Sequence, residues 1–280
     1  MTKINRRCAF IGKWVFLGIM IIFTLYPVVY TVLGSLKTNA ELTQGGGFFP
    51  EVWYFKNYYQ AFVQADFTKY TVNSVIVSAS VTLLAAVTCS LAGFILARKD
   101  FAGKKVLMAL YLSMMFVSLG SVTLYPIYEL LRALKLNKTI FALIIALTGG
   151  QAANVFLVMG FTKGIPRELD EAAIIDGCSL YGVYYRIILP LSKPILAVVA
   201  LFSFRNAWND YITSLIMTIS MPKLQTLTVA VVQLKYSVNA AAEWHIMLAG
   251  ASIAIVPILV VYLFANKQFI AGLTAGAVKG

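Results

Sequence analysis

The chain has 280 residues, of which 60% are hydrophobic and only 12% are charged, with a mean hydropathy of +0.82. A soluble domain carries about 25% charged residues, so this composition excludes an ordinary soluble domain and indicates a membrane protein. The net charge of +12 could suggest nucleic-acid binding. However, the basic residues lie between long apolar runs, where they are better explained as markers of membrane topology.

Five runs without a charged residue are each long enough for a membrane-spanning helix, which needs roughly 20 residues. They lie between Lys13 and Lys37, Lys69 and Arg98, Lys105 and Glu129, Lys138 and Lys163, and His245 and Lys267. A sixth apolar stretch runs from Pro194 to about Met217 and is interpreted as a span that carries embedded polar groups. The sequence therefore predicts an all-α integral membrane protein with six transmembrane helices.

The basic residues outside these spans are unequally distributed between the two sides of the membrane. Alternate segments, starting with the N-terminal one, contain 14 of the 23 basic residues, and the remaining segments contain 8. The positive-inside rule then places both termini in the cytoplasm. Residues 1–36 form the N-terminus and first span, 37–69 an external loop, 70–267 the core with the other five spans, and 268–280 a cytoplasmic tail.

Residue types that serve catalysis or metal binding are sparse. The three cysteines, Cys8, Cys89 and Cys178, are widely spaced, and the single histidine, His245, is predicted on the membrane side opposite Cys8 and Cys178. No disulfide framework or metal site is implied. A phosphate-binding G-x-x-x-x-G-K-[ST] loop is absent from the sequence. We therefore expect a non-catalytic chain without a metal or cofactor of its own, so that a partner handles any nucleotide.

The external segment at 37–69 combines Gly45-Gly46-Gly47 and Pro50 with a run of aromatic residues. The glycines and the proline exclude one continuous helix. Aromatic residues beside a membrane usually anchor the chain at the interface. A docking surface for an external partner is the alternative.

The most informative segment is the predicted cytoplasmic one at 162–193. It is too polar to enter the bilayer, and Pro166 suits a first helical position. Gly177 suits the end of this helix, Ser179 the cap of a second, and Pro190 its stop. Acidic residues in the first turn or so complement the helix dipole, namely Glu168, Asp170 and Glu171. The pattern predicts two short helices that are joined by an elbow and held by the spans at both ends.

A fixed spacing runs through this segment: Glu171-Ala172-Ala173, three residues, Gly177, nine residues, Ile187, one residue, Leu189-Pro190. It resembles the EAA loop of ABC importer permeases. The chain is similar over nearly its whole length to the maltose-type, or carbohydrate uptake transporter-1, branch. The further motifs are Asn73-Ser74, Ala97-Arg98 with Phe101-Ala102-Gly103-Lys104, Ile165-Pro166 with Glu168-Leu169, Trp208-Asn209-Asp210 and the ending Gly272–Gly280. This ending is typical of the shorter, six-span partner of heterodimeric permeases.

The resemblance implies the type I ABC importer permease fold, in which the EAA helix sits in a cleft of a cytoplasmic ATPase subunit. Closure of the ATPase dimer would then drive the spans between inward-facing and outward-facing states. The implied coupling residues are Glu171, Ala172, Ala173, Gly177 and, as a weaker candidate, Asp176. In the tail, the residues implied to insert between the ATPase subunits are Thr274, Ala275, Gly276 and Lys279.

The resemblance also implies the companions of this chain in a bacterial cytoplasmic membrane. They are a second homologous permease, two ABC ATPase subunits that bind ATP and Mg²⁺, an extracytoplasmic solute-binding protein and a carbohydrate solute.

Polar residues inside the predicted spans are candidates for the translocation path. Charged groups at membrane depth are costly and normally face the interior of the bundle or a water-filled cavity. Arg205, Asn209 and Asp210 are spaced to share one face of a continuous helix. The candidates are Gln151, Asn154, Arg205, Asn206, Asn209, Asp210 and, before a proline in the third span, Tyr125. A structural salt bridge or an interhelical hydrogen bond would explain the same residues without solute contact.

These observations predict a permease subunit of an ATP-driven importer for an oligosaccharide or related sugar. One alternative keeps the machinery and changes the cargo to a polyol or a sugar phosphate. Another is an ion-coupled secondary transporter in which Arg205 and Asp210 relay a proton or ion. That transporter would work alone, and it leaves the EAA spacing unexplained.

Overall fold

The computed structural model describes residues 3–116, 120–236 and 242–277, and within these ranges the chain forms helices and no β-strand. The α-helices are α1 (Lys3–Gly34), α2 (Asn39–Thr43), α3 (Lys56–Gln64), α4 (Phe67–Arg98), α5 (Lys104–Phe116), α6 (Leu124–Ala133), α7 (Ile140–Thr148), α8 (Ala152–Gly164), α9 (Glu168–Ile175), α10 (Leu180–Val183), α11 (Leu189–Leu191), α12 (Lys193–Asn209), α13 (Ile212–Thr218), α14 (Leu227–Gln233) and α15 (Trp244–Ala277). Short 3₁₀ segments occur at Gly120–Thr123, Pro222–Leu224 and Leu234–Tyr236, and a π-helical segment at Tyr184–Ile188. The predicted all-α fold is confirmed.

Three single helices are long and apolar enough to cross a membrane: Gly12–Gly34 in α1, the whole of α4, and Trp244–Leu263 in α15. Two helix pairs pass the same test only when taken together, namely α7 with α8, and Leu180–Leu191 with α12. The first pair bends by 53° and the second by 76°. The described residues thus hold three spans, or up to five if each bent pair is one span.

The third predicted span is not one continuous helix among the described residues. Its first part, α5, ends at Phe116, and a 3₁₀ turn from Gly120 leads into α6. The count of six spans therefore stays a prediction.

The chain divides into two compact units. The first unit comprises Met1–Thr68 and Ala230–Val256, and the second comprises Lys69–Val229 and Pro257–Gly280. The candidate coupling segment and the polar spans belong to the second unit.

In the first unit, the predicted external segment is built of the short helices α2 and α3, as its glycines and proline indicated. The buried Asn57 side chain donates to the carbonyl oxygens of Ser35 and Lys37, both at 2.8 Å. The Asn39 side chain donates to the carbonyl oxygen of Ala242 at 2.9 Å. Since these bonds join residues far apart in sequence, the external segment is a folded element rather than a loose loop.

In the second unit, α4 takes part in three apolar clusters along its length. Near its start, Val77 and Val81 pack with residues of α7, α12 and α13. Along its second half, Cys89 and Leu96 pack with residues of α8 and α12. Near its end, Phe94 packs with residues between Ile165 and Ile188. This helix therefore connects the core of the unit to the predicted coupling segment.

Candidate coupling segment and translocation path

The helix α9 carries the Glu-Ala-Ala triplet and begins two residues later than predicted. Pro166 precedes the helix, and the carbonyl oxygen of Arg167 accepts from the backbone N–H groups of Asp170 and Glu171 at 2.9 and 3.1 Å. The prediction that Pro166 is the first helical residue was wrong, because Arg167 takes the N-cap position. The acidic residues still lie in the first turn of the helix, where they complement its dipole.

The elbow after α9 has the predicted geometry. Gly177 has φ +84°, a left-handed conformation that glycine adopts without strain. Gly177 N donates to Ile174 O at 3.0 Å, and Cys178 N donates to Ala173 O at 2.9 Å, which is the Schellman pattern of helix termination. The Ser179 side chain then caps α10 by accepting from the backbone N–H of Gly182. The two-helix elbow is confirmed.

The second helix of the elbow continues past Pro190. It runs through the π-helical segment Tyr184–Ile188 and ends at Leu191, after which the chain bends by 76° at Ser192 into α12. Pro190 lies in the short helix α11, directly after the π-helical segment. The helix therefore ends one residue after Pro190, where the stop was predicted.

The two alanines of the triplet have different environments. Ala173 is buried in a cluster with Phe94, Val183 and Tyr184. Glu171 and Ala172 are exposed, as are Asp176 and Gly177 at the end of the helix. Ile175 is 85% exposed. The helix therefore anchors one side to the protein and presents a surface of acidic, small and apolar residues on the other.

A buried ion pair attaches α9 to the end of α4. Arg98 Nε lies 2.6 Å from Asp170 Oδ2, and the two side chains are only 5% and 14% exposed. The N–H of Arg98 is not aligned with that oxygen, so the contact is an ion pair rather than a directed hydrogen bond. The directed bond runs from Arg98 Nη2 to the carbonyl oxygen of Ile165 at 2.9 Å. The sequence contained both charges, but it carried no signal that they pair.

The fifth predicted span is interrupted at its most polar point. The helix α12 ends at Asn209, and Asp210 has an extended backbone with ψ 125°. Its carboxylate accepts from the backbone N–H of Ser214 at 2.7 Å, in the first turn of α13. The prediction that Asp210 continues one helical face with Arg205 and Asn209 was therefore wrong. An acidic side chain satisfies the free N–H groups of a helix start, and this local preference ends α12.

The remaining polar candidates on α12 lie on its exposed side. Arg205, Asn206 and Asn209 are exposed, whereas Ala207 and Trp208 are buried. Trp208 is packed inside the protein and stacks on Phe204, with ring centroids 5.6 Å apart. The helix thus divides into a packed face and a polar face.

The fourth span breaks at Gly149-Gly150, and both predicted polar residues lie at this break. Gln151 is the N-cap residue of α8, and Asn154 is buried. Asn154 Nδ2 donates to Gln151 Oε1 at 2.5 Å and to Ser203 Oγ on α12 at 3.3 Å. Asn154 therefore links α8 to α12. This contact is the interhelical hydrogen bond that the sequence left open as an alternative to solute contact.

A cavity of about 310 Å³ lies beside this break. Gln151 contributes to its wall together with Thr88, Tyr111, Thr148, Gly149 and Gly150. Irregular backbone at membrane depth occurs where it is covered by protein or lines a water-filled cavity. Tyr111 and Thr148 were not among the predicted path residues.

The other predicted residues lie apart from these groups or beyond the described side chains. Tyr125 is 72% exposed on α6. Thr274, Ala275 and Gly276 belong to α15, whose backbone stays helical to Ala277. The tail predicted from residue 268 therefore begins as a continuation of the last helix. Lys279 lies outside the described residues.

Comparison with known proteins gives one family match and several similar chains. Residues 89–269 match the model of the binding-protein-dependent transport system inner membrane component. The arabinooligosaccharides transport system permease protein AraQ of Bacillus subtilis is 31% identical over 96% of this chain and 96% of its own length. The melibiose/raffinose/stachyose import permease protein MelC of the same organism is 35% identical over 91% of each chain. A solved bacterial ABC transporter involved in the import of the acidic polysaccharide alginate superposes with a TM-score of 0.80 at 21% identity, covering 96% of this chain and 99% of that chain.

Proposed function

The chain belongs to the family of inner-membrane components of binding-protein-dependent transport systems, and we propose that it is a carbohydrate permease subunit that is moved by ATPase subunits through α9. The family consists of non-catalytic, multi-pass permease subunits, so the chemistry of ATP hydrolysis belongs to other chains. The observation that carries this proposal is the exposed surface of α9 that contains Glu171 and Ala172. That surface is fixed by a buried ion pair to a helix long enough to span the membrane.

The exposed side of α9 has the chemistry of a docking surface. Ile174 is 54% exposed and Ile175 85% exposed, beside the carboxylates of Glu171 and Asp176. Apolar side chains that are rimmed by charged groups mark protein interaction sites. Ala172 and Gly177 add no bulk, so a partner can approach the backbone closely. We assign this surface to the ATPase cleft, with Ala173 serving to anchor the helix instead.

The polar face of α12 supports a translocation path that is completed by a second permease. Arg205, Asn206 and Asn209 would be strongly disfavoured against lipid. A water-filled path or a homologous subunit on the other side of it would satisfy them. Amide and guanidinium groups also donate hydrogen bonds to the hydroxyl groups of a sugar. Gln151, beside the cavity at the break of the fourth span, joins this proposed path.

The cargo class comes from the relatives. The name of AraQ assigns arabinooligosaccharides to it, and the name of MelC assigns melibiose, raffinose and stachyose. A third relative, the Bacillus subtilis permease MdxG, is named for maltodextrin transport. Similarity at these levels over nearly the whole chain supports an oligosaccharide or a related sugar. A polyol or a sugar phosphate is the competing cargo.

The complete transporter in this proposal contains this chain, a second permease and two ATPase subunits that bind ATP and Mg²⁺. An extracytoplasmic binding protein delivers the solute. Both termini lie in the cytoplasm, because the segments assigned to that side carry the excess of basic residues. The end of α15, with Thr274, Ala275 and Gly276, then extends toward the ATPase subunits, and Lys279 follows it.

Reconstitution of the complete transporter in proteoliposomes tests the proposal. Uptake of maltotriose, raffinose, arabinotriose, glycerol and glucose 6-phosphate is measured with and without enclosed ATP and added binding protein. We expect uptake of at least one of the three oligosaccharides, and we expect it to require both ATP and binding protein. Uptake of glycerol or glucose 6-phosphate alone would refute the cargo class. Uptake by this chain alone, driven by an ion gradient, would refute the ATP-driven mechanism.

A further inference from the structure

We propose that the cytoplasmic end of α4 receives the movement of the coupling segment through three positioning residues, Ser90, Phe94 and Arg98. This inference rests on the proposed function, because it assigns further residues to the same coupling site. The three residues are spaced by four positions, so they lie along one face of the helix. Each of them contacts the chain between Ile165 and Tyr184.

Arg98 holds the first half of the coupling segment. Its ion pair with Asp170 is buried, and its hydrogen bond to Ile165 O fixes the chain just before α9. Separating buried charges leaves both uncompensated, so the pair favours joint movement of α9 and α4. Asp170 directly precedes Glu171, which lies on the surface of α9 that we assign to the ATPase cleft. A push on Glu171 is therefore applied next to the residue that Arg98 holds.

In the second half of the coupling segment, Tyr184 makes the contacts with α4. Its hydroxyl lies 2.7 Å from Ser90 Oγ in a buried hydrogen bond, and its ring lies 5.3 Å from that of Phe94. Tyr184 begins the π-helical segment that leads to α12. Single-turn π-helical segments inside helices occur frequently at functional sites. The coupling segment is thus attached to α4 on both sides of its elbow.

The space between these attachments is closely packed. Phe94, Ile165, Val183 and Ile188 are all buried in one apolar cluster. Protein interiors of this kind have low compressibility and transmit displacement rather than absorb it. Within the same stretch of α4, directly before Phe94, a Cβ at Gly93 would lie 2.7 Å from Val158 Cγ1 on α8. Displacement of α4 therefore reaches the helix that carries Gln151 and Asn154.

A purely structural role for these residues makes a different prediction. It would reduce the amount of assembled transporter and leave the solute moved per ATP unchanged. A positioning role changes that ratio in transporters that assemble normally. The ratio of uptake to ATP hydrolysis, measured on one preparation, therefore separates the two roles.

The experiment uses the complete transporter in proteoliposomes, with the panel oligosaccharide that the unaltered transporter takes up. The variants are Asp170→Asn, Arg98→Lys and the combined Ser90→Ala with Tyr184→Phe. We expect normal assembly and ATP hydrolysis, with uptake per ATP lowered roughly fivefold or more by Asp170→Asn and by the combined variant. Arg98→Lys keeps the charge but loses the planar fork that also reaches Ile165, so it gives an intermediate loss.

Matched controls remove similar groups from neighbouring positions. Lys99→Gln removes a cation adjacent to Arg98, and Tyr185→Phe removes the hydroxyl of the exposed tyrosine next to Tyr184. Both controls should retain uptake per ATP. An unchanged ratio in every assembled variant, or equal losses in the controls, would overturn the inference.

If Asp170→Asn does not assemble, the combined variant decides, because it removes only two hydroxyl groups and keeps the rings. Failure of both to assemble would assign the residues to folding and also overturn the inference. An unaltered transporter without ATP-dependent uptake would contradict the proposed function instead.

Discussion

At the scale of single residues, two carboxylates act by accepting hydrogen bonds from the backbone. Asp210 accepts from Ser214 N, and this bond sets the start of α13. Glu41 accepts from Thr38 N at 2.8 Å and from Glu51 N at 2.9 Å, which completes the capping box of α2 and ties it to the following chain. Two backbone hydrogen bonds of the external segment therefore depend on the charge state of one half-buried side chain.

The pKa of Glu41 is lowered from its ordinary value of 4.5 by the backbone N–H of Glu51 and then by that of Thr38. The bonds favour the ionised form, so their stabilisation is present above the unfolded pKa and is lost as pH falls through the lowered folded pKa. We expect amide hydrogen exchange at Glu51 to lose protection below about pH 4.5.

The variant Glu41→Gln should abolish this pH dependence. Glu51→Gln is the control, because it changes a carboxylate but keeps the backbone N–H that Glu41 accepts. Protection at Glu51 that does not change from pH 7 to pH 3 in the unaltered chain would contradict the role of Glu41.

At the scale of elements, the sequence predicted helices better than their breaks. The charge-free runs placed α1, α4 and α15, because a long apolar run has no stable alternative to a spanning helix. Gly149-Gly150 is a turn signal, but the apolar residues around it favoured an unbroken span. Asp210 was assigned to a helix face because its spacing fitted, while its capping bond to Ser214 decided the structure.

Pairings between elements were beyond prediction from this sequence. Ser90 and Tyr184 are 94 positions apart, and neither residue type indicates a buried bond between distant segments. Motifs predicted the structure correctly where it depends only on residues close in sequence. Gly177 ended α9 as predicted because its left-handed conformation depends on its immediate neighbours.

Packing of α4 on α8 gives a prediction at this scale. A Cβ at Gly93 would lie 2.7 Å from Val158 Cγ1 and 2.9 Å from the backbone N of Met159, so Gly93→Ala forces the helices apart. We expect the free energy of unfolding to fall by roughly 1–3 kcal/mol, seen as a lower melting temperature of the purified chain. Gly160→Ala in α8 meets nothing within 4 Å and should be neutral or stabilising. Equal melting temperatures for the two variants would contradict this packing.

The exposed side of α9 gives a second prediction at this scale. Glu171→Lys reverses a charge on the proposed docking surface without touching the buried Ala173. We expect copurification of the ATPase subunits and solute uptake to fall at least tenfold, about 1.4 kcal/mol of lost interaction. Glu168→Lys, on the same helix and also exposed, should have the smaller effect. Full uptake in Glu171→Lys with normal ATPase assembly would remove this residue from the coupling role.

At the scale of the whole molecule, the small charged fraction holds most of the functional information. Among the described residues, three helices can span the membrane singly and two pairs can do so when bent, and together they supply the apolar scaffold. Basic residues between the runs set the predicted orientation. A few polar groups on α8 and α12 mark the proposed path, and the Arg98–Asp170 ion pair attaches the proposed coupling helix α9 to α4. The chain as a whole belongs to a family of inner-membrane transport components.

The predicted orientation is testable by labelling intact cells. A single cysteine added after Gly280, in a chain whose three native cysteines are replaced, should react with an impermeant thiol reagent only after the cells are opened. A cysteine placed at Phe49, in the predicted external segment, should react in intact cells and serves as the control. Labelling of the C-terminal cysteine in intact cells would reverse the topology.

The central claim is that ATPase closure at α9 changes access to the polar face of α12. The most direct measurement is labelling of Asn209→Cys by an impermeant thiol reagent added from the external side, in the complete transporter. We predict faster labelling when ATP is bound and hydrolysis is blocked. This change should be lost in Glu171→Lys, and a cysteine at the buried Val199 should stay unlabelled in both states. Labelling of Asn209→Cys that is independent of ATP would contradict the account.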